Sequence, residues 1–281
     1  PDTVLITGCS SGIGRATAER FHDQGWDVYA TARSPSDIED LADQGMQTLE
    51  LDVTEDDDCE RAVDEVVEDG GGIGCLVNNA GYGEMAAVED LSVEDLDAQL
   101  DVNTYGPHRL TRLTLPQMRE QEDGTIVNLS SVSGRVSTPG MGAYCASKFA
   151  LEAMSDALRA EVRGFGVDVV LVEPGPVKTP FGDKAEDGIQ EHDHEDSPYR
   201  DLYRRIGEFN DGLGDGDGPG WLTNLTGRIA VEPERIAKTV VKAAESKSPK
   251  PRYRVSLPHR FMAMGRYVPA RLQDWTYERM I

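Results

Sequence analysis

The sequence predicts an α/β fold, a doubly wound parallel sheet in a single domain of 281 residues. Short apolar segments alternate with helical patterns of about ten or more residues through the first 172 positions, which is typical of right-handed βαβ units. The first apolar segment leads directly into a glycine-rich loop that opens a helix, as in nucleotide-binding sheets. No internal repeat of solenoid length occurs, so the alternation indicates one layered sheet.

The predicted strands and helices follow in regular order. Strands are the short apolar runs, whereas helices carry apolar residues three or four positions apart, as Ile13, Thr17 and Phe21 show in the first of them. Helices are expected on both faces of such a sheet. The predicted strands are residues 3–6, 27–31, 46–51, 74–77, 124–129 and 167–172, and the predicted helices are residues 15–24, 35–44, 55–69, a pair over 92–121, and 143–164.

The glycine-rich loop TGCSSGIG, residues 7–14, predicts a phosphate-binding site. Its glycines allow the backbone to approach a phosphate, and the N-terminus of the following helix directs N–H groups at the anion. A glycine loop alone is a weak signal, but the order of strand, loop and helix indicates nucleotide binding. The candidate phosphate-binding residues are Gly8, Ser10, Ser11, Gly12, Ile13 and Gly14.

The end of the second predicted strand favours NADP(H) over NAD(H) as the cofactor. A site for NAD(H) typically offers an acidic side chain here to the ribose 2′-hydroxyl, whereas the 2′-phosphate of NADP(H) requires a cation. Residues 31–34 contain no Asp or Glu, and Arg33 supplies the cation. Arg33 could also be an ordinary surface arginine, but the missing carboxylate still favours NADP(H).

Ser131, Tyr144 and Lys148 are candidate catalytic residues. Tyr144 and Lys148 are four residues apart, so a helix places them on one face, one turn apart. A neighbouring ammonium should lower the pKa of a phenol, about 10 when free, and make Tyr144 a general acid and base. Ser131 follows a predicted strand, and open α/β sheets form their clefts where strands end. The plainer interpretation is a half-buried aromatic residue beside a solvated amine.

The strong negative charge excludes partners that need a basic surface. The 51 acidic residues outnumber the 28 basic ones, for a net charge of −23, so neither nucleic acid nor an anionic membrane is an expected partner. The acids are interleaved with apolar segments, which a disordered tail would lack. Repulsion among them is screened at about 1 M salt, where the Debye length is about 3 Å, so we interpret the chain as a halophilic protein.

No segment predicts export or a membrane span. No apolar run approaches about 18 residues, and there is no basic leader with an apolar core. The four cysteines, at positions 9, 59, 75 and 145, are far apart and form no metal-ligand spacing. We interpret them as reduced, buried residues of a cytoplasmic protein.

The regular alternation breaks between residues 178 and 228, the candidate substrate lid. Aspartates at positions 211, 215 and 217 suggest a calcium loop, but its frame has Leu222 where a bidentate Glu is required. His192 and His194 lack a helical metal-binding spacing, so no metal is expected. Five lid residues fall on one helical face and either close over an apolar substrate or pack as core: Tyr199, Leu202, Tyr203, Ile206 and Phe209.

The C-terminal segment, residues 255–281, is predicted to be a helical extension. It could cap the cleft, form an oligomer interface or touch a membrane surface, and the acidity of the chain makes the membrane the least favoured of the three. Its large apolar residues are Phe261, Met262, Met264, Tyr267, Val268, Leu272, Trp275 and Tyr277.

Five motifs together resemble those of the classical short-chain dehydrogenase/reductase family, over nearly all of the first 180 residues. TGCSSGIG is similar to its TGxxxGxG cofactor loop, and NNAG, residues 78–81, to its fourth-strand motif. Asn103, Ser131, Tyr144 and Lys148 match its catalytic positions. Within the family, the nearest resemblance is to 17β-hydroxysteroid and retinol dehydrogenases. It is carried by TGCSSGIG, by the ATAR turn at residues 30–33 and by YCASKFALE at residues 144–152. The resemblance implies a Rossmann-type fold, an oxidoreductase and a homodimer or homotetramer.

The resemblance also implies a role for each matching residue. Tyr144 would exchange a proton with the substrate oxygen, Ser131 would hold that oxygen, and Lys148 would bind the nicotinamide ribose. Asn103 would help hold a water in a proton relay. Tyr144 and Lys148 would therefore also contact the cofactor, together with Asp52 and Val53 at the adenine, Asn79, Ala80 and Gly81 along the groove, and Pro174, Gly175, Val177 and Thr179 at the nicotinamide end.

The expected activity is hydride transfer between NADP(H) and a carbonyl or alcohol carbon of an apolar substrate, such as a steroid, a retinoid or another ketone or aldehyde. A sugar or an acyl-linked ketone is an alternative, but such substrates favour polar or basic groups at the lid, and this lid has aromatic and acidic ones. A non-catalytic NADP-binding sensor is a further alternative, although a sensor has no need for the Ser/Tyr/Lys set.

Overall fold

A computed structural model of the protein describes residues 2–179, 196–214 and 230–280. Its centre is a seven-stranded sheet with the strand order β3-β2-β1-β4-β5-β6-β7. All neighbouring strands are parallel and the order reverses between β1 and β4, which confirms the predicted doubly wound sheet. The strands are β1 (Thr3–Ile6), β2 (Asp27–Ala32), β3 (Gln47–Glu50), β4 (Cys75–Asn78), β5 (Gly124–Leu129), β6 (Val167–Glu173) and β7 (Arg252–Arg254).

Helices cover both faces of the sheet. One face carries α1, α2 and α8, and the other carries α3 and α5. The helices are α1 (Gly12–Asp23), α2 (Glu39–Asp43), α3 (Asp56–Gly70), α4 (Val93–Leu100), α5 (Gly106–Gln121), α6 (Gly142–Glu161), α7 (Arg200–Gly214), α8 (Pro233–Ala244), α9 (Leu257–Met264) and α10 (Ala270–Met280).

Side chains along each central strand alternate between two hydrophobic cores. In β1, Val4 and Ile6 belong to the core beneath α1 and α8, whereas Leu5 belongs to the core beneath α3 and α5. In β5, Val127 and Ile126 divide in the same way. Because both faces are buried, these strands consist mostly of apolar residues, which explains why they could be recognised as short apolar runs.

Two predicted helical regions differ in form from the expectation. Residues 35–44 form a 3-10 turn, Pro35–Ile38, followed by the short α2. The predicted pair over residues 92–121 is one continuous run, in which a π-helical turn, Asp101–Tyr105, joins α4 to α5. Pro107 explains the wider turn, because proline has no N–H to donate to the carbonyl of Asn103 four residues earlier.

The first turns of α7 pack as a small core of their own. Tyr203 is fully buried, and Tyr199, Leu202 and Ile206 pack beside it. This favours the expectation that the apolar face of the lid packs as core over the expectation that it closes over a substrate. The side chain of Phe209, His192 and His194, and the aspartates at positions 215 and 217 all lie outside the described residues.

Within the described ranges, no helix is long and apolar enough to cross a bilayer. The same ranges contain no cluster of His, Cys, Asp and Glu that could hold a metal ion. The four cysteines are buried and free.

Candidate active site

The predicted site residues lie at the carboxyl ends of successive strands. The glycine loop follows β1, Arg33 follows β2, and Asp52 and Val53 follow β3. Residues 79–81 follow β4, Ser131 follows β5, and residues 174–179 follow β6. In a parallel sheet these ends share one edge, so positions far apart in the sequence line one crevice at the reversal of strand order.

The glycine loop has the shape of a phosphate cradle. Gly8 and Gly12 have φ angles of 73° and 57°, in the left-handed region that favours glycine. A Cβ on Gly14 would lie 2.1 Å from the carbonyl oxygen of Gly8, so no other residue permits this close start of α1. Ser11 caps α1 without a side-chain hydrogen bond, and the first turn has no acidic residue. The N–H groups of this helix end can donate to an anion, which fits a dinucleotide pyrophosphate.

Asn79 fixes the loop from the neighbouring strand. Its Nδ2 donates to the carbonyl oxygens of Thr7 at 2.8 Å and Gly8 at 3.1 Å. The Thr7 hydroxyl in turn accepts from the backbone N–H groups of Asn79 at 3.0 Å and Ala80 at 2.9 Å. These reciprocal bonds hold the segments after β1 and β4 together, so the backbone of residues 79–81 forms one wall of the crevice.

Arg33 and Asp52 follow the carboxyl ends of two neighbouring strands, β2 and β3. Arg33 is exposed just beyond β2, and Leu51 donates its N–H to the carbonyl of Ala32 at 2.9 Å, which brings the two strand ends together. The Asp52 carboxylate accepts from the N–H of Thr54 at 3.0 Å and from its hydroxyl at 2.8 Å. This turn orients Asp52, while the guanidinium of Arg33 remains available to a ligand.

Ser131, Tyr144 and Lys148 converge beyond the end of β5. Tyr144 and Lys148 lie one turn apart on α6, and the Lys148 Nζ is 5.8 Å from the centre of the Tyr144 ring. The Tyr144 hydroxyl shares a hydrogen bond with Ser131. Lys148 Nζ donates to the carbonyl oxygen of Leu129 at 2.8 Å. The arrangement places two hydroxyl groups where one substrate oxygen could meet both.

The structure corrects the expected ionisation of Tyr144. Burial raises the pKa of Tyr144 to about 12, and the hydrogen bond with Ser131 offsets only part of this rise. Burial also lowers the pKa of Lys148 to about 8, although Glu152 acts in the opposite direction. The pKa of the phenol therefore lies above its ordinary value and not below it, because burial dominates. Near neutral pH Tyr144 holds its proton, the form that can donate to a substrate oxygen.

Asn103 joins α4–α5 to α6 and to the segment after Gly81. Its Oδ1 accepts from the N–H of Tyr82 at 3.1 Å, and its Nδ2 donates to the Tyr82 carbonyl at 2.9 Å and to the Ser147 hydroxyl at 3.0 Å. Its side chain is thus fully engaged in structure.

Residues 174–179 form the opposite wall. The Pro174 carbonyl accepts from the N–H of Val132 at 2.9 Å, and Val177 forms a bridge with Val231. A Cβ on Gly12 would lie 3.0 Å from Cγ2 of Thr179, so this segment reaches the glycine loop. The cofactor positions predicted at both ends of the crevice therefore belong to one continuous surface.

A small apolar cluster packs at the start of α6, the helix that carries Tyr144. Met85, Ala87 and Tyr203 form a cluster against which Met141 and Ile206 pack. Met141 directly precedes α6, and a bridge pairs it with Ala86. The Tyr203 hydroxyl accepts from the N–H of Ala87 at 3.0 Å and also bonds Asp90. α7 is thus attached beside the candidate catalytic residues.

Sequence reasoning missed several buried polar residues that support the site. Glu152 lies one turn after Lys148 on α6, a spacing that could have been noticed. Glu152 and Glu173 pair with Arg252, and Glu173 also pairs with Arg254. His259 contacts Gly175 from α9. No local pattern in the sequence indicates either of these long-range contacts.

Comparisons with known proteins agree with this geometry. A family model described as short chain dehydrogenase matches residues 2–190. The oxidoreductase YbbO of Escherichia coli K12 is 38% identical over 275 residues, which cover 97% of this chain and 92% of that protein. Human retinol dehydrogenase 5 is 42% identical over 184 residues, covering 63% of this chain and 57% of that protein, which supports the narrower resemblance.

The solved structures give the same fold. The closed form of a serine dehydrogenase complexed with NADP+ has a TM-score of 0.72 and 27% sequence identity. The match covers 90% of this chain and 93% of that one. An NADP+-bound enzyme therefore shares the architecture whose crevice is described above.

Proposed function

The chain belongs to the short-chain dehydrogenase/reductase family of oxidoreductases, and from this premise we propose that it is an NADP(H)-dependent enzyme for an apolar carbonyl or alcohol. The observation that carries the proposal is the convergence of Ser131, Tyr144 and Lys148 at the strand edge that also holds the glycine cradle. An acid, an oxygen-binding hydroxyl and a phosphate-binding loop at one edge are the parts that carbonyl reduction with a dinucleotide requires.

Tyr144, Ser131 and Lys148 would each have a separate role in this reaction. When bound, NADPH would supply the hydride. Tyr144 donates its phenolic proton to the substrate oxygen as negative charge develops there, and Ser131 donates a hydrogen bond to the same oxygen. Lys148, oriented by the Leu129 carbonyl, would bind the nicotinamide ribose and supply positive charge beside the phenol. The oxidation of an alcohol would use the same groups in reverse.

The apolar cluster at the start of α6 supports an apolar substrate, because it includes a side chain that lies close in the sequence to Tyr144. Met85, Met141 and Ile206 pack together there, with Met141 three residues before Tyr144, and apolar side chains offer no charged partner to a phosphate or carboxylate. One relative is a retinol dehydrogenase by name, whereas a structural neighbour is a serine dehydrogenase. The shared fold alone therefore does not indicate the substrate. The proposal of an apolar substrate rests on the apolar cluster at the start of α6.

The proposed function is tested by following NADPH absorbance in molar KCl with paired apolar and polar carbonyl compounds. We expect turnover of long-chain or cyclic ketones and aldehydes with NADPH, and little turnover of sugars or acyl-carrier-linked ketones. Preference for the polar set would contradict the substrate assignment. Tight NADPH binding without any turnover would instead support a sensor.

Replacing Arg33 by aspartate should reverse the cofactor preference. The change removes a charge-assisted contact to the 2′-phosphate and adds repulsion, so kcat/KM with NADPH should fall by about 100-fold while kcat/KM with NADH is kept or rises. Initial rates with both cofactors measure this ratio. The matched control is Arg112→Asp, because Arg112 is an exposed arginine on α5. Equal losses in both variants would show a general charge effect.

The acidic surface should make stability depend on salt. With a net charge of −23, screening of repulsion from 0.1 to 2 M KCl should raise the unfolding temperature by about 5 °C or more. Calorimetry measures the shift, with sucrose as a control for solvent exclusion that involves no screening. An unfolding temperature that does not change with KCl would contradict the halophilic interpretation. A cytoplasmic location and a homodimer or homotetramer remain predictions alongside it.

A further inference from the structure

We propose that His259, on α9, is a positioning residue that fixes the peptide unit between Pro174 and Gly175 at the nicotinamide end of the cofactor site. This inference rests on the proposed function, because it takes residues 174–179 to be part of that site. His259 is distant in the sequence from every motif described above, and folding brings it into contact with Gly175.

Both polar atoms of the Pro174–Gly175 peptide unit are held, from two different parts of the chain. The carbonyl oxygen of Pro174 accepts from the N–H of Val132 at 2.9 Å, directly after Ser131. The N–H of Gly175 donates to Nδ1 of His259 at 3.0 Å. The plane of this peptide cannot rotate without breaking one of the two bonds. The peptide therefore links the turn after Ser131, the predicted cofactor-binding residues 174–179 and the C-terminal extension, residues 255–281.

The imidazole also fits closely against Gly175. A Cβ on Gly175 would lie 2.4 Å from Cδ2 and 2.7 Å from Nε2 of His259. The His259 side chain is fully buried, so the ring has no room to turn away. Glycine at position 175 is required here by the ring and not by a left-handed backbone.

The C-terminal part of the chain holds the neighbouring segments as well. Val231 donates its N–H to the Pro176 carbonyl at 3.1 Å and accepts from the N–H of Lys178 at 3.1 Å. Tyr277 donates to the carbonyl oxygen of Ser137, which lies between Ser131 and α6. The extension thus contacts both the segment after β6 and the segment after Ser131, and His259 is its contact with the Pro174–Gly175 peptide.

The test compares two ligands by fluorescence titration, because only one of them has a nicotinamide. In His259→Leu, which keeps bulk but removes the acceptor, the Kd of NADPH should rise about tenfold. The Kd of 2′,5′-ADP, which lacks the nicotinamide half, should stay within about twofold of the wild type. A residue needed only for folding would weaken both ligands. An unchanged NADPH affinity in His259→Leu would overturn the proposal.

Two further variants keep the test decisive if His259→Leu does not fold. His259→Asn places an amide oxygen near the position of Nδ1 and should restore NADPH affinity to within about threefold of the wild type. Gly175→Ala displaces the ring and should weaken NADPH without weakening 2′,5′-ADP. Equal effects on the two ligands in Gly175→Ala would overturn the proposal.

The control on the same helix is Phe261→Leu, since the Phe261 side chain is 69% exposed, and it should not change either Kd. If the wild-type protein binds neither ligand, that result contradicts the proposed function, whereas the inference about His259 is contradicted only by the results for the variants. If the wild type binds both and the variants discriminate between them, both proposals are supported.

Discussion

Replacing Tyr144 by phenylalanine should lower kcat by about 10²- to 10⁴-fold, the range that a positioned general acid contributes. The substitution removes one oxygen and leaves the ring in place beside Lys148, so NADPH affinity should stay within about threefold of the wild type. The effect is large because Lys148, the neighbouring ammonium, donates to the carbonyl oxygen of Leu129 and does not replace the phenol. Ser131 can donate a hydrogen bond, but a serine hydroxyl does not exchange a proton readily near neutral pH.

The matched control for this variant is Tyr29→Phe. Tyr29 is also a buried tyrosine, but it lies in β2 within the core beneath α3 and α5, away from the crevice. Removing its hydroxyl should leave kcat within about twofold of the wild type. Steady-state rates with NADPH, combined with fluorescence titration of NADPH, separate the proton-transfer step from binding. If Tyr144→Phe retained most of its turnover, Tyr144 would not be the acid.

Local patterns were sufficient to predict the fold and the positions of the motifs. Strand periodicity, the glycine loop and the four-residue spacing of Tyr144 and Lys148 each depend on neighbours in the sequence, and the fold confirmed the alternation up to β6. The convergence of Ser131 and Tyr144 could be expected because the carboxyl ends of parallel strands meet at one edge.

Burial and long-range pairing could not be predicted from the same patterns. Spacing places Lys148 beside Tyr144 but does not reveal that both are enclosed, and enclosure raises the pKa of the phenol. The contact of His259 with Gly175 joins residues 84 positions apart. In the same way, no apolar run marks β7, because its arginines are held by carboxylates on β6 and α6.

The arginines of β7 and the acids they meet form a buried ionic network. Glu173, the last residue of β6, is fully buried and pairs with the Nε of Arg252 at 3.0 Å and the Nε of Arg254 at 2.6 Å. Arg252 also reaches Glu152 at 3.0 Å and Asp156 at 2.6 Å, both on α6. This network attaches the edge strand to the sheet, directly before the Pro174–Gly175 peptide.

Replacing Glu173 by leucine should therefore lower the free energy of unfolding by about 3 kcal/mol, because it removes a buried carboxylate and leaves two arginines with less compensation. Urea denaturation at constant KCl measures the change. The control is Glu232→Leu, whose carboxylate pairs with Lys178 in an exposed position, and there the cost should be within about 1 kcal/mol. The double variant Glu173→Leu/Arg254→Leu should recover part of the loss, since apolar replacement of both partners avoids an unpaired buried charge. A loss no larger than that of Glu232→Leu would show that the network does not hold the edge strand.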